Sequence, residues 1–327
     1  MAILISPPTF IQKLALAWLA LVVLVAALAV ALPLPYRPGV PDLAHITLAP
    51  FGPGQHWLGT DPQGRDVLSV LVFGTRTALL LTVPAAVLAA LVGAVAGGAA
   101  GFWGNSIRLA LPYWLGGAGL AWWGLRLPGP WLGTAAAGSA AVLALLAARR
   151  RWALPTWSLP LNTLVLGAAT LLDTIPRLVL VVALAAGVGV SAGSLLVLLT
   201  LTTWPYPARL VRAQMLRVRA MPYVEAARAV GMPAFRVWWR HALPHALQPL
   251  RTAFPLSVAG LLGLESTLSF LGIGLPPDVA SWGRLLASGR NEPQAWWLIA
   301  FPGIMLVITI LSLSVFARNA PKSPAAP

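Results

Sequence analysis

The stretch Tyr223–Pro244, YVEAARAVGMPAFRVWWRHALP, is a polar, arginine-rich island between segments that are almost wholly apolar. Pro222 is typical of the first residue of a helix, and Gly231 with Pro233 two residues on is typical of a helix end. A second helix can then run from Pro233 towards His241. The stretch therefore predicts two short helices joined by a Gly-Met-Pro corner, which together are too polar to cross a membrane.

The second of these predicted helices is amphipathic. Phe235, Trp238 and Trp239 fall at helical spacing and form one predicted apolar face, which Arg236 and Arg240 flank. Composition alone would indicate no more than a positively charged cytoplasmic loop. In either interpretation the stretch lies at a membrane surface.

The composition of the whole chain indicates an integral membrane protein. Of its 327 residues, 58% are hydrophobic and only 9% are charged, and the mean hydropathy is +0.81. A soluble domain of this size would have one continuous apolar surface. We therefore predict an all-α, polytopic bundle of transmembrane helices in contact with membrane lipid. The chain has no cysteine, which excludes disulfides, thiolate chemistry and cysteine-ligated metals.

The apolar runs predict eight transmembrane helices. The first, 14–34, could instead be a cleaved signal peptide, but it is long for one and no clean small-x-small cleavage site follows, so we predict a retained helix. The predicted spans are 14–34, 77–101, 107–126, 130–148, 161–188, 191–210, 252–274 and 295–317. Gly97, Gly98 and Gly101 are small residues at a spacing that lets helices approach closely in lipid.

The spacing of residues in the polar island resembles the EAA loop of ABC importer permeases. In that family this loop is the coupling helix that docks into a groove on the ATPase subunit, and the resemblance implies the same role for loop 223–244. The matching positions are Glu225, Ala226, Ala227, Gly231, His241, Leu243 and Pro244.

The polar segment after the first span carries a second motif, HWLGTDPQGRDVLS, at residues 56–69. By local chemistry Asp61–Gly64 is a turn, and Asp66 is a candidate helix N-cap. The segment resembles the LGTDxxGRDVLSRL segment of one peptide-importer permease subunit. Together with the coupling loop it implies the dipeptide, oligopeptide and nickel branch, the C-type permease of its pair, and the type I ABC importer permease fold.

Further matches to that family lie in the C-terminal half. Residues 204–214, WPYPARLVRAQ, resemble the run before the coupling loop, and Glu265 with 269–274 resembles its E-x-x-LSFLGLG signature. Ser281–Gly283 matches an external S-W-G loop. Three parts depart from the family: 106–160, the tail 318–327, and Thr170, where the family usually has aspartate.

Acidic and polar side chains within spans mark candidates for the translocation path, because an unpaired charge in lipid is costly. Asp173 and Arg177 stand four residues apart, and they are either a self-neutralising helical pair or a polar feature of the path. Glu265 and Ser269 are the other candidates.

We divide the chain into five parts. Residues 106–160 are interpreted as an inserted transmembrane hairpin that turns at Pro128-Gly129-Pro130, with a re-entrant or surface segment as the alternative. The parts are 1–76 (first helix and external loop), 77–105 (second helix), 106–160 (insert), 161–317 (permease core) and 318–327 (cytoplasmic tail).

The distribution of basic residues predicts the orientation. The net charge of +14 comes largely from arginines in short loops between apolar runs, which fits membrane orientation better than nucleic-acid binding. With both termini in the cytoplasm, the cytoplasmic segments hold 15 of the 22 basic residues, among them those around the coupling loop. The loop is thus predicted to face the cytoplasm, in a cytoplasmic (inner) membrane.

Catalytic patterns are missing from the sequence. The two lysines, Lys13 and Lys322, lie outside any Gly-x-x-x-x-Gly-Lys context, so the chain has no P-loop of its own. His241 and His245 could be read as a zinc pair, but no HExxH glutamate and no third ligand follow. We therefore predict no enzyme activity, cofactor or metal. A membrane enzyme such as a lipid or glycan transferase, or a secondary transporter, is the alternative class.

The resemblance implies a permease subunit that imports peptides or a similar small solute, nickel among them. Its implied partners are a second, homologous permease, two ATP-binding subunits and an external substrate-binding protein.

Overall fold

The structure, a computed structural model, describes residues 9–52, 55–109, 138, 157–188 and 191–318. These residues are mainly helical. The helices are α1 (Phe10–Leu28), α2 (Val67–Trp103), α3 (Leu161–Thr174), α4 (Arg177–Val188), α5 (Ala192–Thr203), α6 (Pro205–Val218), α7 (Pro222–Ala229), α8 (Ala234–Val237), a π-helix (Trp238–Ala242), α9 (Leu243–Ala246), α10 (Leu250–Phe270), α11 (Trp282–Asn291) and α12 (Trp297–Arg318).

Four of the described helices, α1, α2, α10 and α12, are long and apolar enough to cross a membrane, and the bent pair α3–α4 would make a fifth span. Large apolar side chains lie exposed along them, such as Leu24, Val95 and Val307. In a bilayer these side chains would face lipid. The predicted helical membrane fold is confirmed. The count of eight stays a prediction, because most of the insert lies outside the described residues.

The first two spans differ from their predicted bounds. Helix α1 ends at Leu28, earlier than the predicted end at residue 34, because apolarity alone carried the prediction through Pro33, which disfavours a helix interior. Helix α2 begins at Val67, ten residues earlier than predicted, because Asp66 caps it: Asp66 Oδ2 accepts a hydrogen bond from Ser69 N at 2.8 Å. The predicted N-cap is confirmed.

The predicted span 161–188 is broken. Helices α3 and α4 meet at an angle of 87°, because Pro176 lacks an N–H and disfavours the helical conformation of Ile175 before it. Helices α5 and α6 follow one another with only Trp204 between them, and Trp204 itself has a helical conformation (φ −56°, ψ −26°). The run of helix from Ala192 to Val218 is therefore longer than the predicted 191–210.

Glycines of α2 allow close packing against α6. A Cβ on Gly97 would lie 2.1 Å from the Ala208 carbonyl oxygen, and one on Gly93 would lie 2.8 Å from Ala208 N. A Cβ on Gly101 would lie 2.8 Å from Met215 Cβ. These glycines are spaced by four and lie on one helix face, so the predicted close approach at Gly97 and Gly101 is confirmed.

Among the described residues of the unit formed by residues up to 102 and from 166 onward are two buried apolar clusters. One joins the start of α2 to α11 and α12 around Trp282 and Leu298. The other joins the middle of α2 to α4, α5 and α10 around Leu199 and Leu261. Helix α1 packs on α12, where Trp18 Nε1 donates to Thr309 Oγ1 at 3.1 Å.

The unit 103–165 contains two short antiparallel strands, β1 (Ile107–Leu109) and β2 (Trp157–Leu159). Beside them the Asn105 side chain accepts from Thr163 N at 3.2 Å, and Asn162 N donates to Gly104 O at 3.1 Å. Residues 107–109 therefore form a strand, whereas the sequence predicted that a spanning run begins there. The rest of the predicted hairpin and its turn at 128–130 lie outside the described residues.

Candidate functional site: the coupling segment

The polar island folds as a chain of short helices, residues 222–246, which we call the coupling segment. Its first helix, α7, begins with Pro222 at the first helical position, where the missing N–H has no helical partner to lose. Glu225 lies in the first turn and Arg228 in the last. Each charge therefore opposes the partial charge at its end of the helix.

The predicted corner is confirmed at Gly231, which has φ +81°. Gly231 N donates to Arg228 O at 2.9 Å, and Met232 N donates to Ala227 O at 3.3 Å. This pair of bonds is a Schellman motif, which needs the left-handed conformation that glycine adopts without strain. Nothing lies within 4 Å of the position of a Cβ on Gly231, so backbone conformation, rather than space, selects glycine here.

The second part of the segment turns through a π-helix at Trp238–Ala242 between α8 and α9. The wider turn places Val237, Trp238 and Ala242 inward, and all three are buried. Such π-helical turns are rare and often occur at functional sites. Nδ1 of His241 is buried and has no hydrogen-bond partner in the part of the chain that the structure describes.

Opposite the buried face is an exposed apolar face, formed by Val230, Met232, Phe235 and Trp239, which we call the outer face. Val230 is 79% exposed, Phe235 64% and Trp239 58%. The predicted apolar face was thus wrong in one respect: Trp238 points inward, while Phe235 and Trp239 point outward. Arg236 and Arg240 are exposed beside them.

The buried face of the segment lies on the end of α2. A Cβ on Gly98 would lie 3.0 Å from Leu243 Cδ1 and 3.4 Å from Trp238 Nε1. The Arg228 guanidinium lies over the Phe102 ring, 4.8 Å from its centroid. This geometry is a cation–π contact. The coupling segment is therefore packed directly on a membrane-spanning helix.

The seven residues of the coupling motif divide between the two faces. Ala227 and Leu243 are buried against the protein, and His241 is half-buried. Those that are exposed are Glu225, Ala226, Gly231 and Pro244. The motif therefore combines residues that seat the segment with residues that remain available to a partner.

The structure separates the candidate path residues. Asp173 forms an ion pair with Arg209 of α6, not with Arg177, so the predicted helical pair was wrong because the chain bends at Pro176 between them. Arg177 is exposed at the start of α4. The paired side chains of Asp173 and Arg209 are 39% and 42% exposed. A half-exposed ion pair beside apolar helices is typical of a polar cavity.

Glu265 and Ser269 lie together in the interior. Ser269 Oγ donates to Glu265 Oε1 at 2.8 Å, and Ser281 Oγ donates to the same oxygen at 3.1 Å. Trp282 Nε1 donates to Leu71 O at 3.0 Å, and a Cβ on Gly283 would lie 2.1 Å from the Ser266 carbonyl oxygen. The S-W-G segment therefore joins α10, through Ser281 and the buried Glu265, to the start of α2, through Trp282.

Comparison with known proteins decides the family. Residues 140–322, more than half of the chain, match the family of binding-protein-dependent transport system inner membrane components. The chain belongs to this family. Its members are transport permeases rather than enzymes, and the chain is a multi-pass permease subunit of an ABC importer, which works with an ATPase and a substrate-binding protein.

Relatives of this permease cover most of its length. One from Brucella suis biovar 1 (strain 1330), whose name describes a peptide transport system permease, is 31% identical over 85% of this chain and 76% of its own. A second Brucella suis protein, named as a peptide permease, is 30% identical over 89% and 79%. The dipeptide transport system permease protein of Bacillus subtilis (strain 168) is 27% identical over 80% and 65%.

The loop before α2 of the permease has the predicted turn. Gly64 N donates to Asp61 O at 2.9 Å, and Asp61 Oδ1 accepts from Gln63 N and Arg65 N at 2.9 and 2.8 Å. Burial raises the pKa of the Asp61 carboxyl, and the two backbone N–H groups oppose that rise. The loop is held to the C-terminal part, where Trp297 Nε1 donates to Thr60 O at 3.2 Å.

Sequence reasoning missed a polar cluster in the same loop, made by Asp42, His45, His56 and Asp66. Hydrogen bonds lower the pKa of the Asp42 carboxyl, and the one from His45 has a larger effect than the one from His56. The available signal was the occurrence of two of the four histidines in one segment with an aspartate three residues before the first. Asp42, His45 and His56 lie in turns and irregular backbone, so no helix or strand brings them together.

Proposed function

We propose that this permease imports peptides or a similar small solute across the cytoplasmic membrane, and that the outer face of its coupling segment docks on the ATPase subunit. The peptide specificity is taken from the relatives' names. The docking role rests on one observation: an exposed apolar face, with Phe235 and Trp239 at its centre and arginines beside it, on a segment too polar to enter lipid. Exposed aromatic residues flanked by arginine are typical of protein interfaces.

The packing of the coupling segment supports a route for the motion. A displacement of the outer face would move Trp238 and Leu243, which lie on Gly98 of α2. It would also move the start of α10, which follows the segment after three residues. Closure of the ATPases would thus change the packing of two spanning helices that share a buried cluster. A second, homologous permease would complete the translocation path in this account.

We place both termini and the coupling segment in the cytoplasm. The support is the excess of arginine around the segment, which places it on the cytoplasmic side by the positive-inside rule. The loop before α2 then lies outside, where a substrate-binding protein could reach it. The half-exposed Asp173–Arg209 pair is a candidate part of the path, and Arg177, Glu265 and Ser269 remain candidates from the sequence.

The proposed docking is tested with Trp239→Asp in the assembled transporter. We expect association of the ATPase subunit with the permease to weaken at least 10-fold, since interface aromatics often contribute 2 kcal/mol or more, roughly a 30-fold change in association. Trp57→Asp is the matched control, because Trp57 is 61% exposed against 58% for Trp239 but lies in the loop before α2. Equal association of the ATPase subunit with the two variants would contradict the docking role.

A further inference from the structure

Three side chains of the loop before α2 converge on one point. His45 Nδ1 lies 2.9 Å from Asp42 Oδ2, and His56 Nε2 lies 3.3 Å from the same oxygen. All three atoms lie within 4.8 Å of one another. Two imidazole nitrogens and one carboxylate oxygen are a usual ligand set for zinc. Asp42 and His45 are partly exposed, whereas His56 is buried.

The backbone fixes the oxygen of Asp42 that faces the imidazoles. Asp42 Oδ1 accepts from Ala44 N at 3.0 Å, and Asp42 N donates to Gly64 O at 2.8 Å. A Cβ on Gly64, which has φ +77°, would lie 2.4 Å from the Asp42 carbonyl oxygen. With Oδ1 engaged, Oδ2 is the oxygen left to bind a ligand.

The orientation of His56 is fixed by contacts to its Nδ1 and its ring face. Its Nδ1 lies 3.0 Å from Asp66 Oδ1, and both side chains are at least 97% buried. Asp66 Oδ2 accepts from Ser69 N, and the Tyr36 ring stacks on His56 at 4.0 Å between centroids. When a metal ion replaces the hydrogen bond between Nε2 and Asp42, the carboxylate acceptor at Nδ1 holds the remaining ring proton there and leaves the Nε2 lone pair for the ion. This is the arrangement found behind metal-ligating histidines.

We propose that Asp42 Oδ2, His45 Nδ1 and His56 Nε2 form a binding site for one divalent transition-metal ion of the zinc class. In a tetrahedral zinc site with bonds of about 2.0–2.1 Å, neighbouring ligand atoms lie about 3.3 Å apart. The two measured spacings, 2.9 and 3.3 Å, are close to that value. The partly exposed side of the cluster leaves the fourth position to water.

The ligand chemistry selects among cations. Calcium and magnesium prefer oxygen ligands, and two of the three ligands here are nitrogens. The ion would join residues 42 and 45 to residue 56, and through Asp66 to the first turn of α2. The site is independent of the coupling segment and of the proposed docking.

The test is zinc binding by the purified, full-length permease, isolated with an affinity tag that contains no histidine and stripped with a chelator. We expect one zinc ion per chain, measured by titration with Zn²⁺ alone, and X-ray absorption that shows only nitrogen and oxygen ligands. His45→Ala should weaken binding roughly 100-fold, and Asp66→Asn roughly 10- to 100-fold. Asn still caps a helix, so α2 should keep its start.

His245→Ala is the matched control, because it removes an exposed histidine of the coupling segment and should leave zinc affinity unchanged. Zinc should also raise the melting temperature of the wild type more than that of His45→Ala, because a ligand that binds the folded state stabilises it. The proposal is overturned if the stripped wild type binds no zinc in the titration. It is equally overturned if His45→Ala binds zinc as tightly as the wild type, since the cluster is then only a set of hydrogen bonds.

Discussion

At the scale of single residues, Gly231 and Glu265 show two ways in which one position constrains the permease. Gly231 has a conformation that other residues adopt only with strain, although a side chain would have space. Glu265 is a buried acid that accepts hydrogen bonds from serine hydroxyls of its own helix and of the S-W-G loop. Both positions were singled out in the sequence. Only the structure shows the backbone conformation of Gly231 and the hydrogen-bond partners of Glu265.

Gly231→Val is expected to uncouple the transporter. A β-branched residue at φ +81° costs roughly 1–2 kcal/mol, which favours a different angle between α7 and α8 and so displaces the outer face. Gly231→Asn is the matched control, because asparagine tolerates this conformation. Substrate-stimulated ATP hydrolysis should fall in the valine variant and stay close to wild type in the asparagine variant. Equal stimulation in both would show that the corner angle does not matter.

Glu265→Leu is expected to destabilise the permease. Losing the acceptor leaves the hydroxyls of Ser269 and Ser281 short of a partner inside the protein, at a cost of about 1–3 kcal/mol. The melting temperature in detergent should fall, and Glu265→Gln, which keeps an acceptor, should fall less. A Glu265→Leu variant with unchanged melting temperature but lost uptake would support a role in the path instead of a structural one.

At the scale of elements, the close packing of α2 on α6 depends on glycines of α2. Gly97→Ala is expected to lower the melting temperature, because its Cβ would meet the backbone of Ala208 at 2.1 Å and would force the helices apart. Gly260→Ala in α10 is the control, since nothing lies within 4 Å of its Cβ position. That variant should be neutral or more stable, by up to about 1 kcal/mol. A Gly97→Ala variant as stable as Gly260→Ala would contradict close packing.

Features that depend on neighbouring residues could be predicted from the sequence. The N-cap at Asp66 and the corner at Gly231 arise from local backbone chemistry, so the residue types alone were enough. The small residues of α2 indicated a close contact but not its partner, α6. The inward turn of Trp238 could not be predicted, because it needs a π-helix, and helical spacing assumes a regular turn.

Features that bring distant residues together could not be predicted. Asp173 and Arg177 match the helical spacing, yet the bend at Pro176 gives Asp173 a partner 36 residues away, Arg209. The cluster of Asp42, His45 and His56 depends on the closure of a loop without a repeating pattern. Hydropathy located the four long apolar helices that the structure describes, α1, α2, α10 and α12, but it began α1 too late and made α2 too short.

At the scale of the whole molecule, docking on a cytoplasmic ATPase requires the coupling segment to lie on the cytoplasmic side of the membrane. Single cysteines in this cysteine-free chain test the orientation. Leu43→Cys and Val230→Cys lie at positions that are 76% and 79% exposed, on opposite predicted sides. In spheroplasts, a membrane-impermeant maleimide should label position 43 at once and position 230 only after permeabilisation. Labelling of position 230 at once, and of position 43 only after permeabilisation, would show that the orientation is opposite to the predicted one.

Gly129→Cys tests the insert in the same assay. If residues 110–126, which follow strand β1, and residues 130–148 both span, each run reaches the roughly 17–25 residues that a bilayer requires, and position 129 is outside. We expect it to be labelled in spheroplasts like position 43. Labelling only after permeabilisation would show that the turn of the insert lies on the cytoplasmic side, and the number of spanning helices would then be six instead of eight.

Contact between the outer face of the coupling segment and the ATPase can be detected by photo-crosslinking in the assembled transporter. A photoreactive phenylalanine analogue would replace Phe235, which is 64% exposed, or, as the control, Trp296, which is 57% exposed and precedes α12 at the other end of the bundle. We expect a crosslink to the ATPase subunit from position 235 and none from position 296. Crosslinking to the ATPase from position 296 alone, or from neither position, would contradict this contact.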